Sequence, residues 1–276
     1  MDEHIIEALG KARVVIRDGK VVEVGEPQIG YCPLFDKHRG IKKLTKEEVR
    51  KNMQFRIDDF GMCRPDRILV QKDWLSFGIS EIISTGIRLG LIDVTIMVLE
   101  GAGTVLITDP DIAQGVGGRV SALIKTTPIP ELIERFGKEN VLDPETARID
   151  SCEGVMMAIK RGYKNIAVSV ISGADAKKFK DLEKEYGINI YTFVVHTTGM
   201  CKEDAEDVYK YADVATGCAS KYIRELGAEK GVYKVGDSVP IFGVTPRGRH
   251  LIEERIKHMG KPVTPKPGAP QPDKLL

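Results

Sequence analysis

Apolar and polar positions follow the same order along two stretches of the chain, residues 81–102 and 153–174. A constant offset of 72 residues aligns the two stretches without a gap. Identical residues occur in the pairs Glu81 and Glu153, Ile87 and Ile159, Gly90 and Gly162, Val98 and Val170, Gly101 and Gly173, and Ala102 and Ala174. Each stretch reads as a helix ended by glycine, an apolar run typical of a buried strand, and a Gly-Ala turn. The pattern predicts a duplicated α/β unit, and such a unit often places its site between the two halves.

A weaker similarity follows each copy. Residues 122–136 resemble residues 193–208, and each segment reads as an apolar strand, a polar turn and a helix. Short strands are predicted next, over residues 140–142 and 213–215. Helices and strands that alternate in this way favour a mainly parallel sheet with helices on its faces.

The N-terminal region carries a different pattern. Apolar residues alternate on both sides of Asp18-Gly19, which is a strong turn pair, so a β-hairpin is predicted. A short helix over residues 4–9 is expected to precede it. A capping box predicts a second helix over residues 45–55, and residues 56–67 read as turns.

The C-terminal region adds a hairpin-like pair over residues 231–245 and a charged helix over residues 248–259. The proline-rich end of the chain is expected to be extended and mobile. We therefore divide the chain into four segments. They are residues 1–75 (N-terminal hairpin and loops), 76–150 (first α/β copy), 151–260 (second copy with the C-terminal elements) and 261–276 (the tail).

Composition narrows the classes of function. The 276 residues include 41 basic and 40 acidic ones, so the net charge is +1. This balance gives no reason to expect a nucleic-acid or membrane partner. The first residues lack the features of a signal peptide, and a cytoplasmic protein is expected. Five widely spaced cysteines do not form a disulfide framework, so we expect reduced thiols that are free for metal binding or chemistry.

A glycine-rich segment is the first candidate site. Gly115, Gly117 and Gly118 would let backbone N–H groups approach an anion, and Arg119 could pair with it. The spacing matches neither a P-loop nor a dinucleotide-binding fingerprint. The alternative is a tight turn that needs positive φ.

Two further candidates follow predicted strands, where ligands bind in open α/β sheets. His196 comes directly after an apolar run and is followed by the hydroxyls of Thr197 and Thr198. Cys218 lies between a short strand and a helix, where exposed N–H groups would favour the thiolate of a nucleophile or metal ligand. The alternatives are a hydrogen-bonded histidine in a capping turn and a buried, inert cysteine.

Two more cysteines lie in loops. Cys32 and Cys63 are flanked by glycine or proline rather than by periodic apolar residues. With Cys218 they would supply three ligands to zinc or an iron–sulfur cluster, and His196 could supply a fourth. No C-x-x-C spacing is present, and unpaired loop cysteines are common in cytosolic proteins.

Five phrases together carry a resemblance to a known family: CPLF, FGMCRPDR, QGVGGRVSALIKTTPI, VHTTG and GCASKYIRE. They resemble the methanogenesis marker protein 8 family over about residues 12–256. The resemblance implies a cytoplasmic archaeal protein linked to methanogenesis, and it supplies no activity, cofactor or catalytic residue.

Three hypotheses therefore stay open, and the third is a pure scaffold in which the glycine-rich turn and the cysteines lie far apart. The first is an enzyme or maturation factor that uses Cys218 and His196, with the glycine-rich turn holding a small anionic ligand. The second is an accessory protein that binds a metal, an iron–sulfur cluster or a methanogenic cofactor without catalysis. A methanogenesis enzyme and a second copy of the chain are the candidate protein partners.

Overall fold

The computed structural model describes residues 2–72, 77–119 and 121–276. The boundary between the first two segments, at residues 75 and 76, lies outside the described residues. The strands are β1 (His4–Glu7), β2 (Arg13–Arg17), β3 (Lys20–Val24), β4 (Val94–Leu99), β5 (Gly103–Ile107), β6 (Ala122–Lys125), β7 (Asn165–Val170), β8 (Asn189–Val194), β9 (Val214–Thr216), β10 (Tyr233–Val235) and β11 (Ile241–Gly243). The α-helices are α1 (Pro33–Arg39), α2 (Lys46–Phe60), α3 (Ile79–Arg88), α4 (Pro110–Gly117), α5 (Pro130–Phe136), α6 (Ser151–Lys160), α7 (Gly173–Tyr186), α8 (Lys202–Tyr211), α9 (Lys221–Glu229) and α10 (Pro246–Met259).

The larger sheet has the strand order β10-β11-β9-β8-β7-β4-β5. Its four central strands, from β9 to β4, run parallel, and the outer strands pair antiparallel. Helices α3, α4, α5 and α10 pack on one face, and helices α6 to α9 pack on the other. Apolar residues on both sides of the central strands are what burial between two helix layers requires. The predicted α/β class is confirmed.

The duplicated stretches form neighbouring elements. Strands β4 and β7 pair in parallel with Val94 opposite Ile166, which is the same 72-residue offset that aligns the sequences. Gly90 and Gly162 each directly follow the C-cap residue of their helix, with φ of 69° and 87°. Glycine tolerates this left-handed conformation, so the predicted helix ends are confirmed.

The two copies differ in the face on which their helices pack and in the element that follows the Gly-Ala turn. Helix α3 packs on one face of the sheet and α6 on the opposite face, so the two copies do not superpose as rigid units. Gly101, with φ of 89°, turns the chain back into the antiparallel strand β5, whereas Gly173 begins helix α7. The residues that follow decide this difference, because GTVLI favours a strand and ADAKKFKD favours a helix.

The second, weaker similarity does not correspond to equivalent structure. Strand β6 pairs with β1 in a separate sheet of order β3-β2-β1-β6, whereas its supposed counterpart β8 lies in the larger sheet. The strand predicted at residues 140–142 is absent, since Asn140 ends a 3-10 helix and Val141 forms an isolated bridge with Val105. The strand predicted at residues 213–215 is confirmed as β9.

The N-terminal region forms the smaller sheet. The predicted hairpin is confirmed as β2 and β3, but the helix predicted over residues 4–9 is wrong. These residues form β1, because His4 and Ile6 alternate with outward residues and point into the core. Helix α2 also extends to Phe60, five residues beyond the predicted end, and this extension buries Arg56 and Ile57.

Residues 261–276 contain no helix or strand, and the end of this tail is held against the protein. The Asp273 carboxylate accepts the backbone N–H groups of Gly30 at 2.9 Å and Tyr31 at 3.0 Å. The backbone of Leu276 bonds to Ala219 at 3.0 Å and Lys221 at 2.8 Å. These contacts satisfy backbone groups that an isolated extended segment would leave to water. Among the described residues, no helix is long and apolar enough to cross a membrane.

A buried ion pair joins the loop after α2 to the turn after β4. Nε of Arg67, in the loop after α2, donates to Oε1 of Glu100 at 2.5 Å, and Glu100 follows β4. The two side chains are 1% and 0% exposed. A second guanidinium nitrogen of Arg67 donates to the carbonyl of Gly115 at 2.9 Å, which extends the connection to α4.

Removing the Arg67 guanidinium should therefore destabilise the fold strongly. Arg67→Met leaves the Glu100 carboxylate buried without its charge partner, and we expect a loss of about 3–5 kcal/mol in the free energy of unfolding. Arg88→Met breaks the exposed pair with Asp111 and should cost about 0–1 kcal/mol. Urea denaturation measures both variants, and equal losses would show that the Arg67 pair is not a structural connection.

Candidate functional site

A cavity of about 710 Å³ lies between the smaller sheet and the carboxyl ends of the parallel strands. Each of the four parallel strands contributes to its wall. The contributing residues are Val98 at the end of β4, Ser169 and Val170 of β7, Val195 and His196 after β8, and Thr216 of β9. Residues 8–11 and helix α1 close the opposite side. This is the edge at which open α/β sheets bind ligands.

His196 lies where the sequence predicts it, directly after a parallel strand. Its backbone φ is 57°, a left-handed conformation that is uncommon for non-glycine residues, and its side chain is 16% exposed. Nε2 lies 3.4 Å from Oε2 of Glu7, which is within ion-pair distance but lacks the alignment of a hydrogen bond. The imidazole lowers the pKa of the Glu7 carboxyl, which therefore stays ionised and can orient the ring.

Cys218 lines the same cavity from the loop between β9 and α9. Its φ is 30°, so it also has an unusual backbone conformation. Its Sγ lies 3.3 Å from Oγ1 of Thr216, and its carbonyl accepts Nε–H of Arg224 at 2.9 Å. Ser220 caps helix α9, so Cys218 lies two residues before the cap rather than at it. Strained residues on two neighbouring strand ends are typical of a functional site.

Cys32 brings a second thiol to the cavity wall. Burial raises the pKa of Cys32, and the backbone N–H groups of Leu34 and Phe35 oppose this effect. Cys218, on the wall of the same cavity, adds to the rise in the Cys32 pKa.

Cys63 lies elsewhere. It is fully buried in the core beneath the smaller sheet, and burial raises its pKa well above the ordinary range, with Glu100 adding to the effect. Within residues 2–72, 77–119 and 121–276, no group of three or more metal-ligating side chains is arranged to hold an ion. The structure thus brings together Cys32 and Cys218 but not Cys63, and a three-thiol metal site stays a prediction.

The glycine-rich segment is helical, so the predicted anion-cradling turn is wrong. Gly115 and Gly117 belong to α4, and the N–H of Gly118 donates to the carbonyl of Gln114 at 2.9 Å. The alternative of positive φ is also wrong, since Gly118 has φ of −72° and the other two are absent from the left-handed region. A Cβ at Gly115 would lie 1.9 Å from the carbonyl oxygen of Leu69. These glycines therefore allow close packing.

The remaining predicted ligand-binding residues have different positions. Gly117, Gly118 and Arg119 line the cavity through the end of α4, and Thr198 lines it beside His196. The hydroxyl of Thr197 instead donates to the carbonyl of Thr216 at 2.7 Å and fixes the loop. Binding of a cofactor by these residues stays a prediction.

Several residues in or beside the cavity were absent from the sequence-based prediction; Glu7 is beside it and contacts His196. Glu7 was assigned to a helix, and Arg56 to a turn, so neither could be placed near the strand ends. Cys152 faces the cavity at the start of α6, together with Asp150. In the sequence Cys152 aligns with Ser80 of the first copy at the 72-residue offset, so the repeat itself gives no signal for a functional thiol there.

Comparison with known proteins places the chain in a family. The profile of a family described as "Uncharacterized protein conserved in archaea (DUF2099)" matches residues 4–257. The chain belongs to this archaeal family. A relative from Methanocaldococcus jannaschii, the "Uncharacterized protein MJ0054", is 46% identical over 264 residues. The alignment covers 95% of this chain and 93% of the relative. No solved structure matches this member of the family.

Residues 271–276 form a strap across the two loops that carry the cavity thiols. Asp273→Ala removes the acceptor for Gly30 and Tyr31 beside Cys32, and we expect severalfold faster alkylation of Cys32 and Cys218, since a hydrogen bond contributes about 1 kcal/mol. Lys274→Ala, at an exposed neighbouring position, is the control and should leave both rates unchanged. Mass spectrometry of the labelled peptides gives the rates, and identical rates in the two variants would contradict a closing role for the strap.

Proposed function

We propose that this member of the archaeal family is an enzyme or maturation factor that acts on a small anionic organic ligand in the cavity. Cys218 is the nucleophile, His196 the general base, and Glu7 the group that orients the imidazole. The observation that carries the proposal is that Cys218 and His196, both with positive φ, line one cavity at the carboxyl edge of the sheet.

The chemistry of these groups fits nucleophilic catalysis. A thiol becomes a strong nucleophile when a neighbouring imidazole accepts its proton, and a third group commonly holds the imidazole in position. In such a step Sγ of Cys218 forms a bond to a carbonyl carbon of the ligand, the π-electron pair of the C=O bond moves onto the carbonyl oxygen, and the thiol proton moves to His196. The ionised carboxylate of Glu7 stabilises the resulting imidazolium.

A second candidate function rests on the two thiols. Cys32 and Cys218 line one cavity, and thiolates are preferred ligands of zinc and iron–sulfur clusters. In this alternative the protein is a non-catalytic accessory that binds a metal or a methanogenic cofactor. A second copy of the chain would supply the missing ligands.

The biological setting is part of the same proposal. The relative from Methanocaldococcus jannaschii belongs to a methanogen, and five sequence phrases resemble methanogenesis marker protein 8. We assign the protein to that group and to a cytoplasmic role in preparing a cofactor or enzyme of methanogenesis.

The assigned roles are tested by the reactivity of Cys218 toward iodoacetamide. His196→Asn should slow its alkylation about tenfold or more, because the thiol loses the base that accepts its proton. Glu7→Gln should slow it less, since the imidazole remains but is no longer oriented by a charge. Glu3→Gln, which removes a carboxylate paired with Arg17 and Lys125 near the same strand, should have no effect. An unchanged rate in His196→Asn would rule out the assigned base.

Metal reconstitution separates the accessory role from catalysis. In that role, anaerobic incubation with zinc, or with iron and sulfide, should load the parent and fail with Cys32→Ser and Cys218→Ser. Cys201→Ser, which removes an exposed thiol outside the cavity wall, should load normally. Metal content of zero in the parent would contradict the accessory role.

A further inference from the structure

One end of the cavity is lined by buried arginines. Arg56 lies on α2, is 7% exposed, and faces the cavity. Its guanidinium donates to Oδ1 of Asn52 at 3.0 Å, to the carbonyl of Arg119 at 2.8 Å and to Oγ of Ser121 at 3.4 Å. All three acceptors are neutral. Within the part of the chain that the structure describes, Arg56 makes no ion pair.

The charges around Arg56 increase the cost of burying it. Burial lowers the pKa of Arg56 to about 10, and repulsion by Arg39 and Arg119 adds to this effect, whereas Glu100 acts in the opposite direction. A buried cation normally has an anionic partner, because desolvation of an unpaired charge is costly. Among the described residues, the Arg56 guanidinium at the cavity wall is therefore not in contact with any carboxylate.

Arg119 reaches the same space from the end of α4. It is 4% exposed, its Nε donates to Oε1 of Gln71 at 2.9 Å, and its guanidinium lies 3.7 Å from the ring centroid of Phe60. Burial lowers its pKa to about 10, and Arg39 is the next cause. Asp59 and Glu81 offset part of this effect. Two guanidinium groups thus border one end of the cavity.

Most of the remaining wall is apolar. Leu9, Leu34, Phe35, Phe77 and Leu123 line the space around the arginines. A cavity of about 710 Å³ has the size of sites that enclose a complete small organic molecule. The lining therefore suits a ligand with an apolar body and a charged end.

We propose that Arg56 and Arg119 form an anion subsite that holds the carboxylate or phosphate group of an organic ligand, with its apolar body directed into the cavity toward Cys218. Guanidinium groups bind both kinds of anion through two parallel hydrogen bonds, so both share this chemistry. The inference rests on the proposed function in one respect, because it places the anion subsite and the reactive Cys218 in the same active cavity. The anion contact itself does not require the thiol.

Binding of matched eight-carbon probes tests the subsite. Octanoate, octyl phosphate and octan-1-ol share an apolar chain and differ in the head group, and isothermal titration calorimetry measures each against the parent. We expect at least one of the two anions to bind at least tenfold more tightly than octan-1-ol and to raise the melting temperature. The tighter of the two anions distinguishes a carboxylate ligand from a phosphate ligand. If the alcohol binds as tightly as both anions, or if neither anion binds, the subsite does not exist.

Variants of Arg56 test whether its charge, rather than the general fold of the protein, determines the affinity for the anion. Arg56→Gln should weaken the anion at least tenfold and leave octan-1-ol unchanged, while Arg56→Lys should retain part of the affinity because the charge remains. Arg13→Gln, at an exposed arginine of β2, is the control. Unchanged anion affinity in Arg56→Gln would overturn the proposal. If that variant does not fold, as judged by circular dichroism, the proposal is tested by the anion affinity of Arg119→Gln and by the comparison of the three probes on the parent.

A failure of the anion subsite can be distinguished from a failure of the proposed function. Cys218→Ser should bind the anionic probe as tightly as the parent, since the head group contacts the arginines. If anion binding depends on Arg56 but Cys218 alkylation does not depend on His196, the subsite stands and the catalytic roles fall.

Discussion

The buried contact between Arg67 and Glu100 is the interaction on which the geometry of the site depends. Glu100 and Gly101 form the turn after β4, and Arg67 holds this turn from the N-terminal region. From the other side, Oγ1 of Thr126 accepts the N–H of Gly101 at 2.7 Å and lies 2.6 Å from Nδ1 of His4. The turn is thus fixed to both β1 and the segment after β6. The cavity lies between the smaller sheet and the carboxyl ends of the parallel strands of the larger sheet. Its width therefore depends on this connection.

The sequence predicted the elements whose signals are local. Gly90 and Gly162 end their helices, and the apolar runs after them form adjacent parallel strands in the register of the repeat. Whether a strand joins one sheet or another depends instead on partners far along the chain. Strand β6 pairs with β1, more than 100 residues away, and no periodicity in either segment indicates this. The placement of α3 and α6 on opposite faces of the sheet has the same non-local origin.

The candidate site shows the same division between local and distant information. His196 and Cys218 were found because each follows an apolar strand, and strand ends meet at one edge of a parallel sheet. Glu7 and Arg56 come from the N-terminal layer, which reaches that edge only through the tertiary fold. The misassigned helix over residues 4–9 and the early end predicted for α2 concealed both of them. Cys63 illustrates the reverse error, because a glycine- and proline-flanked segment can still be buried in a core.

The glycine-rich segment serves the cavity in a way that its composition does not reveal. The C-terminal end of a helix carries partial negative charge, which favours a cation such as Arg119 and disfavours an anion bound to the backbone. Gly115 lets α4 approach the backbone of Leu69, and a Cβ at Gly117 would lie 3.2 Å from both Met97 and Ser80. With larger residues at these positions α4 would move outward and carry Arg119 with it. The glycines therefore position a guanidinium group at the cavity wall, and recognition of an anion there falls to side chains rather than to main-chain N–H groups.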